Sequence, residues 1–261
     1  MSKSNQLDAL AGLLADARAR GEQVTGLDPQ LIPSTVADAY RVNTEVARLL
    51  GWTPLGWKIA ATTDAVRKKL GTDGPIYGRT FERFRTASPA RFRHAELLDP
   101  LVECEFFVTL ERALPPRDQP WTYDEVKAAI GSVHAGIEIA ECRFPMAALP
   151  PLPAILADGS ASGRYVFGGA IDTWQAGLAE TPVRLEIDGR EIRHGTGADV
   201  MGDPLRPLHW LAEERRRFGD GLLAGETIST GSMTGMLPIR PGQHVLARFG
   251  DTATVEVTFE G

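Results

Sequence analysis

Two short β-patterned stretches restrict this chain more than anything else in it. In Asp99-Pro100-Leu101-Val102-Glu103-Cys104-Glu105-Phe106-Phe107-Val108, a proline opens a run of β-branched and aromatic residues, the composition of a strand. Side chains alternate along a strand, so Glu103 and Glu105 share one face while Val102, Cys104, Phe106 and Val108 take the other. The two acidic residues then stand roughly 6–7 Å apart at Cα, close enough to converge on one cation. An echo follows in Gly136-Ile137-Glu138-Ile139-Ala140, where Ile137 and Ile139 share a face and Glu138 lies beside small Gly136 and Ala140. Together the strands offer three carboxylates for a metal site. The competing reading is a solvated outer face of an antiparallel sheet, the commoner origin of Glu-x-Glu on a strand.

The bulk composition bounds the rest. Of 261 residues, 43% are hydrophobic and 24% charged, which fits an ordinary globular chain with ample core. A net charge of −6 without a basic cluster argues against nucleic acid. Arg215-Arg216-Arg217 is explained by the end of a predicted helix, where cations complement the macrodipole. No apolar run reaches membrane-span length and no signal-peptide core opens the chain, so a cytoplasmic, membrane-free protein is expected. Cys104 and Cys142 imply no disulfide framework and are expected buried and reduced.

In chain order, Leu7, Leu10, Leu13, Leu14 and Ala17 form a helical stripe ending near Gly21. Ser34 or Thr35 caps a second helix that stops at Gly51. Residues 1–54 are thus a helical segment, expected to pack on a core formed by 55–261 as one folded unit. Leu55-Gly56-Trp57-Lys58-Ile59-Ala60-Ala61 reads as a strand with Lys58 on the face of Gly56 and Ala60. A lysine there either protects a sheet edge or points into a polar cavity, since a buried ammonium needs a partner. A short helix covers Thr63 to Leu70. Thr122-Tyr123-Asp124-Glu125 is a capping box, predicting a helix between the two glutamate strands and a βαβ-like unit. Pro145 to Pro153 reads as irregular. The small polar loop Asp158-Gly159-Ser160-Ala161-Ser162-Gly163-Arg164 can hydrogen-bond a ligand or simply turn. Asp188-Gly189 marks a hairpin, Asp203-Pro204 starts a helix ending near Gly219, and three further strands lie in 226–259. Between the first two of these, Gly231-Ser232-Met233-Thr234-Gly235 has the glycines and hydroxyls that suit close approach to a carboxylate.

Gly56-Trp57-Lys58-Ile59, the Glu-x-Glu strand, Gly136-Ile137-Glu138-Ile139, Asp203-Pro204-Leu205 and Thr230-Gly231-Ser232-Met233-Thr234-Gly235 occur in that order. The set resembles the 2-keto-4-pentenoate hydratases, a branch of the fumarylacetoacetate hydrolase superfamily that also includes 4-oxalocrotonate decarboxylases. The resemblance implies an α+β fold, a mixed β-roll or barrel core with N-terminal helices, assembled into homo-oligomers. It implies Mg²⁺ or Mn²⁺ held by Glu103, Glu105 and Glu138, with Lys58 as the active-site lysine and Gly231, Ser232 and Thr234 contacting substrate. Asp158 and Ser162 join that substrate set through their polar loop. The implied reaction is hydration of a 2-hydroxy-2,4-dienoate to a 4-hydroxy-2-oxo acid, with a Lys58 pKa depressed by the neighbouring dication.

One departure stands out. Many hydratases of this family carry an acidic residue after the proline of the 74–78 loop, where this chain has Ile76 and Tyr77, a pattern nearer the decarboxylase branch. Asp73 is a weak substitute. Rival readings are the decarboxylase, an acylpyruvate C–C hydrolase and a non-catalytic oxo-acid binder. The hydrolase needs an early histidine, and the first here is His94; His134 is expected to serve only as a structural hydrogen-bonding group.

Overall fold

Ser2 and Thr35 open the two N-terminal helices by accepting hydrogen bonds from the backbone N–H groups of Asn5 and Asp38, which would otherwise lack partners. The computed structural model describes residues 2–218 and 220–261. Helices α1 (Lys3–Arg20) and α2 (Val36–Leu50) both end on left-handed glycines, Gly21 and Gly51. Their stripes, including Leu7, Leu10, Leu14, Val42 and Val46, bury against Cys142, Phe144 and Ala154. The remaining helices are α3 (Asp64–Leu70), α4 (Tyr123–Lys127), α5 (Leu152–Ala157) and α6 (Leu205–Arg217).

The strands are β1 (Pro54–Ala60), β2 (Ile76–Phe81), β3 (Arg85–Ala87), β4 (Ala90–Arg93), β5 (Leu101–Leu110), β6 (Ile130–Ala140) and β7 (Arg164–Ala170). They continue as β8 (Pro182–Ile187), β9 (Arg190–Thr196), β10 (Thr227–Ser229), β11 (Leu237–Pro238), β12 (His244–Phe249) and β13 (Ala253–Glu260). One mixed sheet has the order β2-β1-β10-β5-β6-β7-β3, with β11 also on β5; the other runs β4-β13-β12-β8-β9. The apolar back of β5 and β6, including Cys104, Phe106, Val108, Ile137 and Ile139, meets Val245, Ala247, Val255 and Val257 of the second sheet. Phe106 and Phe249 rings lie 5.5 Å apart across that interface. The glutamate face therefore looks away from the main core, toward the helices. This is the mixed α+β roll the resemblance implies, with its longest helices at the N-terminus.

Four local readings need correction. The glutamate strands are neighbours, but they pair antiparallel, so the segment between them is not a βαβ crossover. Its capping box forms, yet α4 covers five residues only, because Ile130 and Val133 are drawn into β6. The proline-rich stretch contains α5, a helix with proline inside its first turn, where a missing N–H costs nothing. Pro204 stands at the cap of α6 rather than inside it, and Gly219 lies outside the described residues. The Asp188-Gly189 hairpin forms with both residues at positive φ, 51° and 73°. No helix among the described residues is long and apolar enough to cross a membrane.

Candidate active site

Register places the polar residues on one face. Glu103 pairs with Glu138 across β5 and β6, and Glu138 with Tyr165 on β7. Ser229 on β10 pairs with Phe107 on one side and Lys58 on the other. Opposed residues in adjacent strands point the same way, so Lys58, Ser229, Glu103, Glu105, Glu138 and Tyr165 converge. Gly136, opposite Glu105, leaves the room: a Cβ there would lie 2.4 Å from the Phe107 ring.

The three glutamates present ligand oxygens within 4.8 Å of one another, all buried. They are at most 7% exposed, which eliminates the solvated-face reading. Lys58 Nζ lies 3.0 Å from Glu138 Oε1, an ion pair with both side chains buried. That oxygen nevertheless has no aligned hydrogen-bond donor among the described residues. Ser229 donates to Glu105 Oε2 and stands 3.2 Å from Glu138 Oε2, while the Gly231 N–H donates to Glu105 Oε2 at 2.8 Å.

The charges do not balance. Three carboxylates face one ammonium, and water is too scarce here to screen them. Burial, opposed by Lys58 and reinforced by Glu138, pushes the Glu103 carboxyl up to about 7. Burial and the charges of Glu138 and Glu103 raise Glu105 well above the usual carboxylate range. Burial raises Glu138 too, against the pull of Lys58, Ser229 and Tyr165. For Lys58, burial pulls the pKa down, but the attraction of Glu138, Glu103 and Glu105 outweighs it, so the ammonium is held above its ordinary value. The carboxylates by themselves thus hold the ammonium, whereas the depressed value was expected beside a dication, whose charge would oppose them. A divalent, oxygen-loving cation fits this donor set on charge and chemistry: it would offset the two excess negative charges and needs neither thiolate nor imidazole.

Above the carboxylates opens a cavity of about 390 Å³, reached by Lys58, Glu103, Ser232 and Thr234. Ser232 Oγ is buried without a well-aligned hydrogen bond among the described residues, though it lies close enough to Glu103 to favour that carboxylate, and Thr234 Oγ1 accepts from the Cys104 N–H at 3.3 Å. Gly231 lies behind the wall, at φ 110° and against Thr62, holding Glu105 through its N–H. Two other expected residues lie elsewhere. Asp158 is buried in an ion cluster with Arg18 and Arg143, its Oδ1 3.0 Å from Arg143 Nε. Ser162 Oγ is within 3.0 Å of Tyr165 OH, and it is Ser160 and Ala161 of the same loop that line the cavity. Ile76 lines the cavity, Tyr77 stacks on Tyr40 with ring centroids 4.0 Å apart, and Asp73 is exposed outside it. His134 Nδ1 lies 3.3 Å from the Gly168 carbonyl, a structural bond as expected. Both cysteines are free and buried, and burial pushes the Cys104 thiol up to about 12, which keeps it un-ionised. Sequence pattern offered no signal for Ser229 or Tyr165, each of which reads there as an ordinary strand residue.

A family model described as fumarylacetoacetate (FAA) hydrolase C-terminal matches residues 79–261. The chain is 30% identical to a 2-keto-4-pentenoate hydratase of Paraburkholderia xenovorans over 98% of this chain and 95% of that one. It is 27% identical to a 4-oxalocrotonate decarboxylase of Pseudomonas putida over 97% of each. Among solved structures, a 4-oxalocrotonate decarboxylase from Pseudomonas putida G7, complexed with magnesium and adipate, superposes with a TM-score of 0.90 at 26% identity, covering 99% of both chains.

Proposed function

Since the chain belongs to the fumarylacetoacetate hydrolase family, we propose that it is a hydro-lyase adding water to a 2-hydroxy-2,4-dienoate to give a 4-hydroxy-2-oxo acid. The observation that carries this reading is the buried set of Glu103, Glu105 and Glu138 with Lys58 against it, under a cavity. Glu103, Glu105 and Glu138 would hold one Mg²⁺ or Mn²⁺, which when bound supplies Lewis-acid stabilisation of charge on a 2-oxo group. Lys58 is the proton carrier. As an ammonium it gives its proton to the far end of the diene and takes back the one that leaves the 2-hydroxyl, converting dienol to enone. Water then adds at C4, and the proton it leaves behind is matched by the one taken up at C3. Ser232 and Thr234 donate to the substrate carboxylate, the use that best suits a Ser232 hydroxyl without a well-aligned bond. Burial around Lys58 keeps stray water from the proton route.

The test is incubation with Mg²⁺ or Mn²⁺ and 2-hydroxypenta-2,4-dienoate, following loss of the dienol absorbance. Formation of 4-hydroxy-2-oxopentanoate supports the hydratase; no decay refutes it. One observation favours a second reading, the decarboxylase: Ile76 and Tyr77 put no acid into the cavity where many hydratases carry one. Release of carbon dioxide from 4-oxalocrotonate would establish that instead. The same family reading carries a homo-oligomer, which light scattering tests, and cell fractionation tests the cytoplasmic address expected from the sequence.

A further inference from the structure

The walls of the cavity differ sharply from its floor. Away from the carboxylates and the hydroxyl loop it is lined by Val66, Leu70, Ile76, Leu101 and Ile155. At its mouth, Met146, Leu149 and Met236 are 37%, 41% and 52% exposed, three of the large apolar side chains that solvent reaches most. Exposed methionine and leucine at a cavity mouth are costly in water and gain when an apolar group covers them.

Charge at the same end points the same way. Among the described residues, the cationic or titratable basic groups on the lining are Lys58 and His194. Lys58 is paired with Glu138 at the floor. His194 is exposed, and its Nδ1 is 3.2 Å from Glu191 Oε1, so a carboxylate already competes for it. Beside it on the lining stands Asp199, whose Oδ2 accepts the Thr196 N–H at 2.7 Å. A second carboxylate on the substrate would thus either be buried unpaired against the apolar walls or, at the solvent-reached mouth, meet the exposed Asp199, with no free guanidinium or ammonium at either place. Burying it unpaired is costly. The volume also exceeds what a five-carbon acid fills, since about 390 Å³ falls in the ~300–1,000 Å³ range of sites that enclose drug-sized ligands.

We propose that the substrate is a 2-hydroxydienoic acid with an uncharged alkyl tail longer than a vinyl group, and that Asp199 and the apolar walls exclude substrates with a distal carboxylate. This rests on the hydratase reading for the reaction, and on the cavity alone for the tail.

The experiment therefore separates binding from turnover. The Mg²⁺-loaded protein is titrated calorimetrically with 2-oxobutanoate, 2-oxohexanoate, 2-oxooctanoate and the diacid 2-oxoadipate. Affinity should rise about three- to fourfold per added methylene, and the diacid should bind about a hundredfold more weakly than 2-oxohexanoate. A diacid that binds as tightly as 2-oxohexanoate overturns the proposal, as does affinity indifferent to tail length. Asp199→Asn keeps the acceptor for Thr196 and removes the charge, and should narrow the mono- to diacid ratio by about three- to tenfold. A ratio it leaves unmoved overturns the part assigned to Asp199. In parallel, 2-hydroxypenta-, hexa- and octa-2,4-dienoate and 2-hydroxymuconate are compared in kcat/KM. Absence of turnover with every dienoate, with the tail preference in binding intact, defeats the hydratase assignment and leaves this inference standing.

Discussion

Two groups of buried carboxylates sit within one molecule and are treated in opposite ways. Asp158 is matched by Arg18 and Arg143, and its Oδ2 also accepts the Arg143 N–H at 3.0 Å. Arg18 in turn donates to the Asp158 and Ser162 carbonyls at 2.6 and 3.1 Å, tying α1 to the cavity loop. Across the sheet, Glu103, Glu105 and Glu138 share one lysine and carry raised pKa values. The first cluster has enough cation and holds the fold together. The second lacks cation, the kind of imbalance on which the proposed metal site rests. Burial alone distinguishes neither; the balance of charge does.

The contrast breaks most visibly at Glu105. With Mg²⁺ present, Glu105→Gln should lower kcat/KM by about a thousandfold or more, several kcal/mol of lost transition-state stabilisation. In chelator its melting temperature should hold or rise, because one of three mutually repelling carboxylates is gone. A variant that unfolds early yet works normally when folded would place Glu105 with Asp158 as a structural group. Lys58→Met comes next. If Lys58 carries the proton, kcat should fall about 10²- to 10⁴-fold while calorimetric Mg²⁺ affinity stays or strengthens, since a competing cation has left. Loss of Mg²⁺ binding with kcat preserved would make the lysine merely a counterion.

Asp158→Ala tests the other side. Burial and the neighbouring Arg143 already lower Arg18 to about 10, and Asp158 is the strongest of the groups that oppose them, ahead of Tyr165 and Glu141. Removing it leaves two buried guanidinium groups uncompensated, at a cost of about 3–5 kcal/mol in chemical denaturation. Activity per folded molecule should change far less than for Glu105→Gln. Equal losses in both would dissolve the distinction between the clusters.

How much of this was legible beforehand follows from the range of each interaction. Glu103, Glu105 and Glu138 were readable because alternation along a strand is local, and Lys58 because small neighbours on an apolar strand flag it. Helix caps at Thr35, Gly51 and Thr122 were local too. Asp158 was misplaced because its partners Arg143 and Arg18 lie 15 and 140 residues away, beyond any helical or strand period that would announce the pairing. The antiparallel β5–β6 pairing was hidden because a capping box predicts where a helix starts, not how far it runs. Ser229 gained its role only when β10 was inserted between β1 and β5.

The smallest effect sharpens the comparison without any mutation. Glu103 moves from an ordinary carboxyl value of 4.5 to about 7 in the folded protein, so folding takes up a proton between those values. A raised carboxyl contributes stability that is complete below the unfolded pKa and is lost as pH climbs through the folded one. In chelator, the protein should therefore weaken from about pH 4.5 to past about pH 7, the reverse of the acid sensitivity that ion-paired carboxylates confer. On the proposed reading Mg²⁺ would bind the ionised form and compete with that proton, so its stabilising effect should grow over the same window. The Mg²⁺-induced rise in melting temperature should be larger at about pH 8 than at about pH 5.5, by on the order of 2–4 °C for each kcal/mol gained. Asp158→Asn should leave this pH-dependent increment in place, since that cluster answers to arginine and not to a metal, whereas Glu103→Gln should flatten it. An increment that Glu103→Gln leaves unchanged would mean that the protons released on Mg²⁺ binding come from Glu105 or Glu138 and not from Glu103.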